Sequence, residues 1–236
     1  MRILTDRLMA IANMVTPGFR LADIGCDHGY LAIYLVKNNI VPYVIAMDIN
    51  KGPLERAGEH VTLAGLNRKI ELRLSDGMNA LKTDEVQSAV MAGMGGPLMI
   101  SILTKGRDIC NSLEEIILQP QSEIEKVRHF LEDNGYNIVE EDIVLEENKF
   151  YPMMKVKHGK MKLYRDVFYR YGRLMFDRND PVFTAYLRKE KGQFLAVRDE
   201  LLKAPDTQKV EIRLRELSRD ISLVEEALAI CVNKGA

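Results

Sequence analysis

The stretch Leu21-Ala22-Asp23-Ile24-Gly25-Cys26-Asp27-His28-Gly29-Tyr30 decides how the rest of the chain is read. An apolar run meets an acid, a turn opens at Gly25, and a helical pattern starts near His28. That is a strand feeding a helix through a glycine turn, the place where open α/β sheets bind ligands. A dinucleotide-binding turn needs G-x-G-x-x-G so that pyrophosphate can approach the backbone. Here Asp27 occupies the second glycine position, and its charge repels a diphosphate. Asp23 adds another carboxylate. The loop suits a cation, which argues against a nicotinamide-dependent oxidoreductase.

Working outward, strand patterns at Arg20–Ile24, Tyr43–Asp48, Ile70–Leu74, Gln87–Ala92 and Glu115–Leu118 alternate with helical ones. The helices fall at His28–Asn38, Lys51–Ala64, Pro97–Lys105 and Ser122–Asn134, and another precedes them over 3–15. Such alternation specifies a parallel sheet covered by helices on both faces. After Gly135 the pattern changes. Asn137–Leu145 and Lys149–Lys157 leave no room for a helix between them and read as a hairpin. It adds an antiparallel strand and brings the sheet to seven, a Rossmann-like α/β fold. Val86–Thr104 is a charge-free run of 19 residues, long enough to span a bilayer on paper. Gly93, Gly95, Gly96 and Pro97 in its middle make it strand, loop and helix instead.

Composition agrees with this class. The 236 residues are 47% hydrophobic and 28% charged, which excludes a disordered or collagen-like chain. Three dispersed cysteines, Cys26, Cys110 and Cys231, form no CxxC pair and build neither a disulfide framework nor a cysteine-based zinc site. No His, Asp and Glu set has metal-ligand spacing, so no metal is expected. Asp6 and Arg7 interrupt any signal-peptide core, so the expected compartment is the cytoplasm, with no membrane segment.

After Gly159 the strand signals stop, dividing the chain into a sheet domain over 1–159 and a helical domain over 160–236. Two helices are expected around Ala204-Pro205-Asp206. The second carries Val210, Leu214, Leu217, Ile221, Val224, Leu228 and Cys231 in a heptad rhythm. The first offers Phe183, Leu187, Phe194, Val197 and Leu201, broken at Glu190. They read as an α-helical coiled-coil hairpin. Charge is uneven: residues 1–158 hold 17 Lys+Arg against 22 Asp+Glu, and 159–236 hold 16 against 12. A basic appendage fits either a phosphate-bearing partner or an ordinary solvated helical surface.

S-adenosylmethionine suits the acidic turn, because it carries a sulfonium and an ammonium but no phosphate. Asp23 and Asp27 attract those charges, with Gly25, Cys26 and His28 shaping the loop. Asp48 and Ile49 close the second strand, where an acid accepts from ribose hydroxyls. Asp76-Gly77 follows the third, placed to accept from an adenine amine. Ala92, Gly93 and Met94 end the fourth strand, and Gly95-Gly96 after them lets backbone approach a target nucleotide. Taken singly, a strand-ending acid is more often a helix N-cap; the three together, after three consecutive strands, favour a nucleoside ligand.

LADIGCDHGYL, followed by VIAMDIN, SDGMNAL, MAGMGG, LQPQ with VRHFL, and KFYPMMKVK, resembles the bacterial tRNA adenine-N1 methyltransferases of the TrmK family over nearly the whole chain. The resemblance implies a class I methyltransferase domain, S-adenosylmethionine as donor and adenine-22 of tRNA as acceptor. Ring nitrogen N1 has an in-plane lone pair and needs no general base, only alignment with the methyl group. Asp27 is the candidate to stabilise the cationic product, and Tyr30 either stacks on the target base or packs in the core. His28 reads as positioning the loop, and His60, His129 and His158 as isolated structural or solvated residues. The target base must leave its stack, which backbone contacts have to offset. Lys162, Arg165, Arg170, Arg173, Arg188 and Lys189, interleaved with Tyr164, Phe168, Tyr169 and Tyr171, are the candidates for gripping RNA. A monomer is expected. Two other readings stay open: a small-molecule methyltransferase with a helical dimerisation arm, and a non-catalytic RNA-binding module.

Overall fold

The structure, a computed structural model, describes residues 4–178, 180–205 and 207–234. Ile3 of the first expected helix and Asp206 of the expected hairpin turn lie outside the described residues. The chain divides into two compact units after Lys162.

In the first unit, five strands β1 (Leu21–Ile24), β2 (Val44–Asp48), β3 (Ile70–Leu74), β4 (Ser88–Met94) and β5 (Glu115–Pro120) run parallel. β6 (Tyr136–Glu146) and β7 (Lys149–His158) form the expected hairpin, and β7 enters antiparallel beside β5. The strand order is β3-β2-β1-β4-β5-β7-β6, with one antiparallel strand in seven. β1, β2 and the first four residues of β4 are buried throughout, as strands covered on both faces must be.

The helices are α1 (Asp6–Met14), α2 (Tyr30–Lys37), α3 (Lys51–Leu63), α4 (Gly96–Lys105), α5 (Arg107–Ser112) and α6 (Ile124–Asp133). α5 was not visible in the sequence because six residues are too few to display a helical period. α1 is held at both ends by residues distant in sequence. At its start, the Arg7 backbone N–H donates to Glu146 at 2.9 Å. Just past its end, Lys155 Nζ donates to the Met14 carbonyl (2.9 Å) and Thr16 Oγ1 (2.8 Å) while pairing with buried Glu115 at 2.9 Å. Burial alone pushes the Glu115 carboxyl up, but hydrogen bonds from Thr16 and Lys155 outweigh it and hold it below its usual range.

The second unit contains α7 (Asp166–Tyr171), a 3-10 turn at Leu174–Asp177, α8 (Pro181–Leu201) and α9 (Gln208–Lys234). Asp180 caps α8 by accepting from the Val182 N–H at 2.7 Å, and Pro181 takes the first helical position. Leu217 and Val224 of the expected seam are buried, and Phe183 and Leu187 face them from the same unit's core. Two features depart from a regular seam. Val197 is 43% exposed, because α8 turns that position to solvent. Leu223 and Ala227 are buried on a second stripe of α9, which packs on α7 as well as α8. The break at Glu190 holds a half-buried ion pair: its carboxylate accepts from Arg170 at 3.3 Å and from the Tyr186 hydroxyl at 3.2 Å.

One further pair lies wholly inside the first unit. Arg128 on the buried face of α6 donates to Glu141 of β6 at 2.8 and 3.0 Å, with the two side chains 2% and 1% exposed. Breaking such a pair leaves a buried charge uncompensated. Arg128→Met alone is therefore expected to cost about 3–5 kcal/mol in urea unfolding, while Arg128→Met with Glu141→Leu recovers most of that loss.

Candidate active site

Strand connectivity creates the site. From β1 the chain winds outward through β2 to β3, then returns to the other side of β1 with β4. The β1/β4 junction is a topological switch point, and at its carboxyl end no connection crosses the sheet. A cavity of about 370 Å³ opens there. Asp23, Gly25, Cys26, Asp27, His28 and Tyr30 reach it from the β1–α2 side, and Ala92, Gly93 and Met94 from β4. These nine sequence-predicted residues therefore meet in one place.

The β1–α2 turn is built from backbone. Gly25 and Cys26 both donate their N–H groups to the Met47 carbonyl, at 2.8 and 2.9 Å, and the Gly29 N–H closes the turn onto Cys26 at 2.8 Å. Gly25 and Gly29 take positive φ values of 77° and 71°, open to glycine without strain. Asp27 holds φ 45° between them, a conformation that non-glycine residues tolerate mainly when they are Asn or Asp.

Asp23 lies in the middle of the sheet, in register with Ala46 of β2 and Val90 of β4. Its Oδ2 is buried without a hydrogen-bond partner. Burial, with Asp48 nearby, pushes its carboxyl up to about 7. Burial, Asp23 and Asp48 together hold the Cys26 thiol well above its usual range, so it is no nucleophile. Asp27 differs. Its side chain is 64% exposed at the rim, 3.6 Å from Arg56 and 3.7 Å from His28.

Several expectations need correction. His60 is not isolated: it hydrogen-bonds the His28 carbonyl through Nδ1 at 2.9 Å and stacks on Tyr30 with centroids 5.0 Å apart. Tyr30 also stacks on His28 at 5.4 Å, so its ring already has protein partners. His158 is likewise fixed, by the Cys110 carbonyl at 2.9 Å and the Tyr136 ring. Gly96 is small for packing: a Cβ there would stand 2.5 Å from the Ser122 carbonyl oxygen and 3.0 Å from Val127. Gly95 N-caps α4 without a side-chain bond.

The other four donor-side candidates lie outside the cavity lining. Asp48 Oδ1 accepts from the Asn50 N–H at 2.8 Å at the start of α3, and Ile49 is exposed. Asp76 faces Lys105 at 3.9 Å, and Gly77 is covered by Ile102. Asp48 ends β2, Ile49 follows it, and Asp76 and Gly77 follow β3, along the same carboxyl edge of the sheet.

Four lining residues were not anticipated: Arg7, Leu8, Leu31 and Gln121. Arg7 Nη1 donates to Gln119 Oε1 at 3.1 Å, and its guanidinium lies over the Tyr151 ring at 5.5 Å. The same Gln119 oxygen accepts the Gly93 N–H at 3.0 Å, where a bulge interrupts the β4–β5 register. An acid and a guanidinium thus line one cavity, a match for a ligand that carries both an ammonium and a carboxylate. Among the described residues no three His, Cys, Asp or Glu side chains group to hold a metal ion, and no helix is long and apolar enough to cross a membrane.

Of the RNA candidates, Arg170 is a structural residue. Its guanidinium is held by Glu190 and faces Asp220 at 3.9 Å, against the Phe194 ring. Arg165 pairs with Glu226 and Arg173 with Asp177, both in exposed positions. Lys162, Arg188 and Lys189 are exposed. Among the interleaved aromatics, Tyr169 and Tyr171 are buried, whereas Tyr164 is 80% exposed.

The raised Asp23 value fixes the sign of a stability test. A carboxyl raised in the fold favours folding fully below the ordinary Asp range near 3.8, and that contribution is lost as pH rises through about 7. At pH 8 the fold carries a buried charge that Asn lacks. Asp23→Asn is expected to raise Tm by several degrees at pH 8, with the gain shrinking towards pH 5; a lower Tm at pH 8 would show that the carboxylate is internally compensated.

Comparison with known proteins assigns the family. A methyltransferase-domain model matches residues 4–154. The tRNA (adenine(22)-N(1))-methyltransferase of Bacillus subtilis strain 168 is 30% identical over 95% of this chain and 97% of its own. A crystal structure of a Streptococcus pneumoniae protein described as a putative tRNA (m1A22) methyltransferase, in complex with S-adenosyl-L-methionine, superposes with a TM-score of 0.86 at 33% identity, covering 96% of this chain and 100% of that one. The crystal structure of the B. subtilis m1A22 tRNA methyltransferase TrmK superposes with a TM-score of 0.86 at 30% identity, covering 96% of this chain and 99% of that one. With both the domain and a full-length relative in agreement, the chain belongs to the tRNA (adenine(22)-N(1))-methyltransferase family.

Proposed function

We infer that this protein transfers the methyl group of S-adenosylmethionine to N1 of adenine-22 in tRNA. The observation that carries the reading is the unpartnered Asp23 oxygen at the mouth of a switch-point cavity, in a chain that matches its B. subtilis relative almost end to end.

The cavity fits the donor chemically. Asp23 offers a buried acceptor to an ammonium, and Arg7, lining the same cavity, offers a guanidinium to the adjoining carboxylate. Asp27 adds negative charge at the rim, while Asp48, Ile49, Asp76 and Gly77 continue the edge towards a nucleoside end. S-adenosylmethionine supplies an electrophilic methyl group on a positively charged sulfur. The chain's own residues then have three tasks. Asp23 and Arg7 hold the amino-acid end, the Gly25–Gly29 turn lets backbone approach the ligand, and the Gly93 bulge leaves room for the incoming base.

No side chain has to remove a proton, because the adenine N1 lone pair attacks the methyl group directly in line. Asp27, the candidate to stabilise the cationic product, stands exposed at the rim between Arg56 and His28. Lys162, Arg165, Arg173, Arg188 and Lys189 are the residues assigned to tRNA phosphates, and Tyr164 to stacking.

Incubating unmodified tRNA with labelled donor and mapping the methyl group tests the activity; label confined to protein or small molecules rejects it. Binding to tRNA should weaken steeply as salt rises, in contrast to a small-molecule substrate. Asp23→Asn should weaken donor binding by about tenfold or more in calorimetry, through loss of a charge-assisted bond, while tRNA affinity stays near that of the wild type.

A further inference from the structure

Gln121 stands apart from its neighbours. Gln119, two residues before it, is fully committed: its oxygen accepts from Gly93 and Arg7, and its Nε2 donates to the Pro120 carbonyl at 3.3 Å. Gln121 is anchored only through its backbone, whose N–H donates to the Met94 carbonyl at 2.8 Å. Its carboxamide lines the cavity and has no hydrogen-bond partner among the described residues. It also sits beside the bulge: a Cβ built on Gly93 would lie 3.6 Å from Gln121 Nε2.

Methylation at N1 restricts how an adenine can be recognised. N1 must stay free of donors, since its lone pair attacks. The positive charge that develops on N1 spreads through C6 to the exocyclic N6, whose hydrogens become better donors. A site for this reaction should therefore leave N1 bare and read the adjoining N6 and N7. One carboxamide matches that edge, its oxygen accepting from N6–H and its NH₂ donating to N7.

We propose that Gln121 is the specificity-determining contact to the target base, holding the N6/N7 edge of the extruded adenine so that N1 faces the methyl group. The assignment rests on the methyltransferase reading above and adds to it which edge is held and by which residue. The oxygen does more than identify the base: it meets a hydrogen bond that strengthens as charge builds up, so it lowers the barrier as well as improving binding.

The test pairs a protein change with a change in one base atom. Unmodified tRNA carrying either adenosine or 7-deazaadenosine at residue 22 is offered to wild-type protein, Gln121→Ala and Gln121→Glu, with donor affinity measured separately. Wild-type kcat/KM should fall about tenfold when N7 is removed. Gln121→Ala should lose about tenfold or more on normal tRNA, show no further loss on the 7-deaza substrate, and bind donor as wild type does. Gln121→Glu keeps an acceptor for N6 but has no donor for N7, so it should show a kcat above that of Gln121→Ala and the same indifference to N7. Gln121→Ala with wild-type kcat/KM, or with the full N7 penalty retained, would overturn the assignment. Failure of the wild type to methylate normal tRNA would instead reject the underlying functional reading.

Discussion

A carboxylate oxygen without a partner, buried in the central strand of a parallel sheet, is the constraint around which this molecule is organised. Asp23 is flanked by β2 on one side and β4 on the other, so backbone pairing fixes its position and the side chain has no freedom to reach water. Leaving it ionised there costs free energy, which, with Asp48 nearby, is why its carboxyl is raised to about 7. On the proposed reading, the ammonium of the donor is the cation that offsets this cost.

The other side of the cavity reaches a comparable rigidity by different means. β4 does not end in regular pairing: it bulges at Gly93, and the N–H freed there is taken by the Gln119 side chain. That same oxygen restrains Arg7, which Tyr151 supports from below the guanidinium plane. One buried carboxamide thus positions both a piece of backbone and a cation. Gln119 has a neighbour of the same type, Gln121, that shares none of these bonds, and the difference between the two is one of position along the strand. The first points into the sheet, and the second follows the strand's last residue at the cavity rim.

Most of the first unit was legible in the sequence because its signals are local. A strand-turn-helix reads from consecutive residues, and so do the acids at strand ends and the glycines of the two turns. What escaped is long-range. Arg7 lies 112 residues from Gln119 and 139 from Glu146, and no spacing rule connects them. His60 looked isolated because its partners, His28 and Tyr30, belong to a different helix and turn. The basic stretch beyond Gly159 misled in the opposite direction. Composition counts charges but not their partners, and Arg170 is engaged by Glu190, the residue that had looked like a flaw in the heptad pattern. The polar break and the extra cation are two halves of one contact.

The reaction explains why the site has this charge distribution and no other. Attack by a neutral ring nitrogen on a sulfonium creates no net charge; it moves a positive charge from sulfur to the base. A strong general base would gain nothing here, since no proton leaves in the step. What helps is negative potential on both sides of the transferred carbon, firm on the donor side and softer on the acceptor side. In the proposed arrangement the Asp23 carboxylate provides the first. On the acceptor side a full buried anion would hold the cationic product and slow its release, whereas an amide dipole follows the charge without trapping it. A buried acid within β1, Asp23, and a carboxamide just after β5, Gln121, fit the distribution that this transfer of charge calls for.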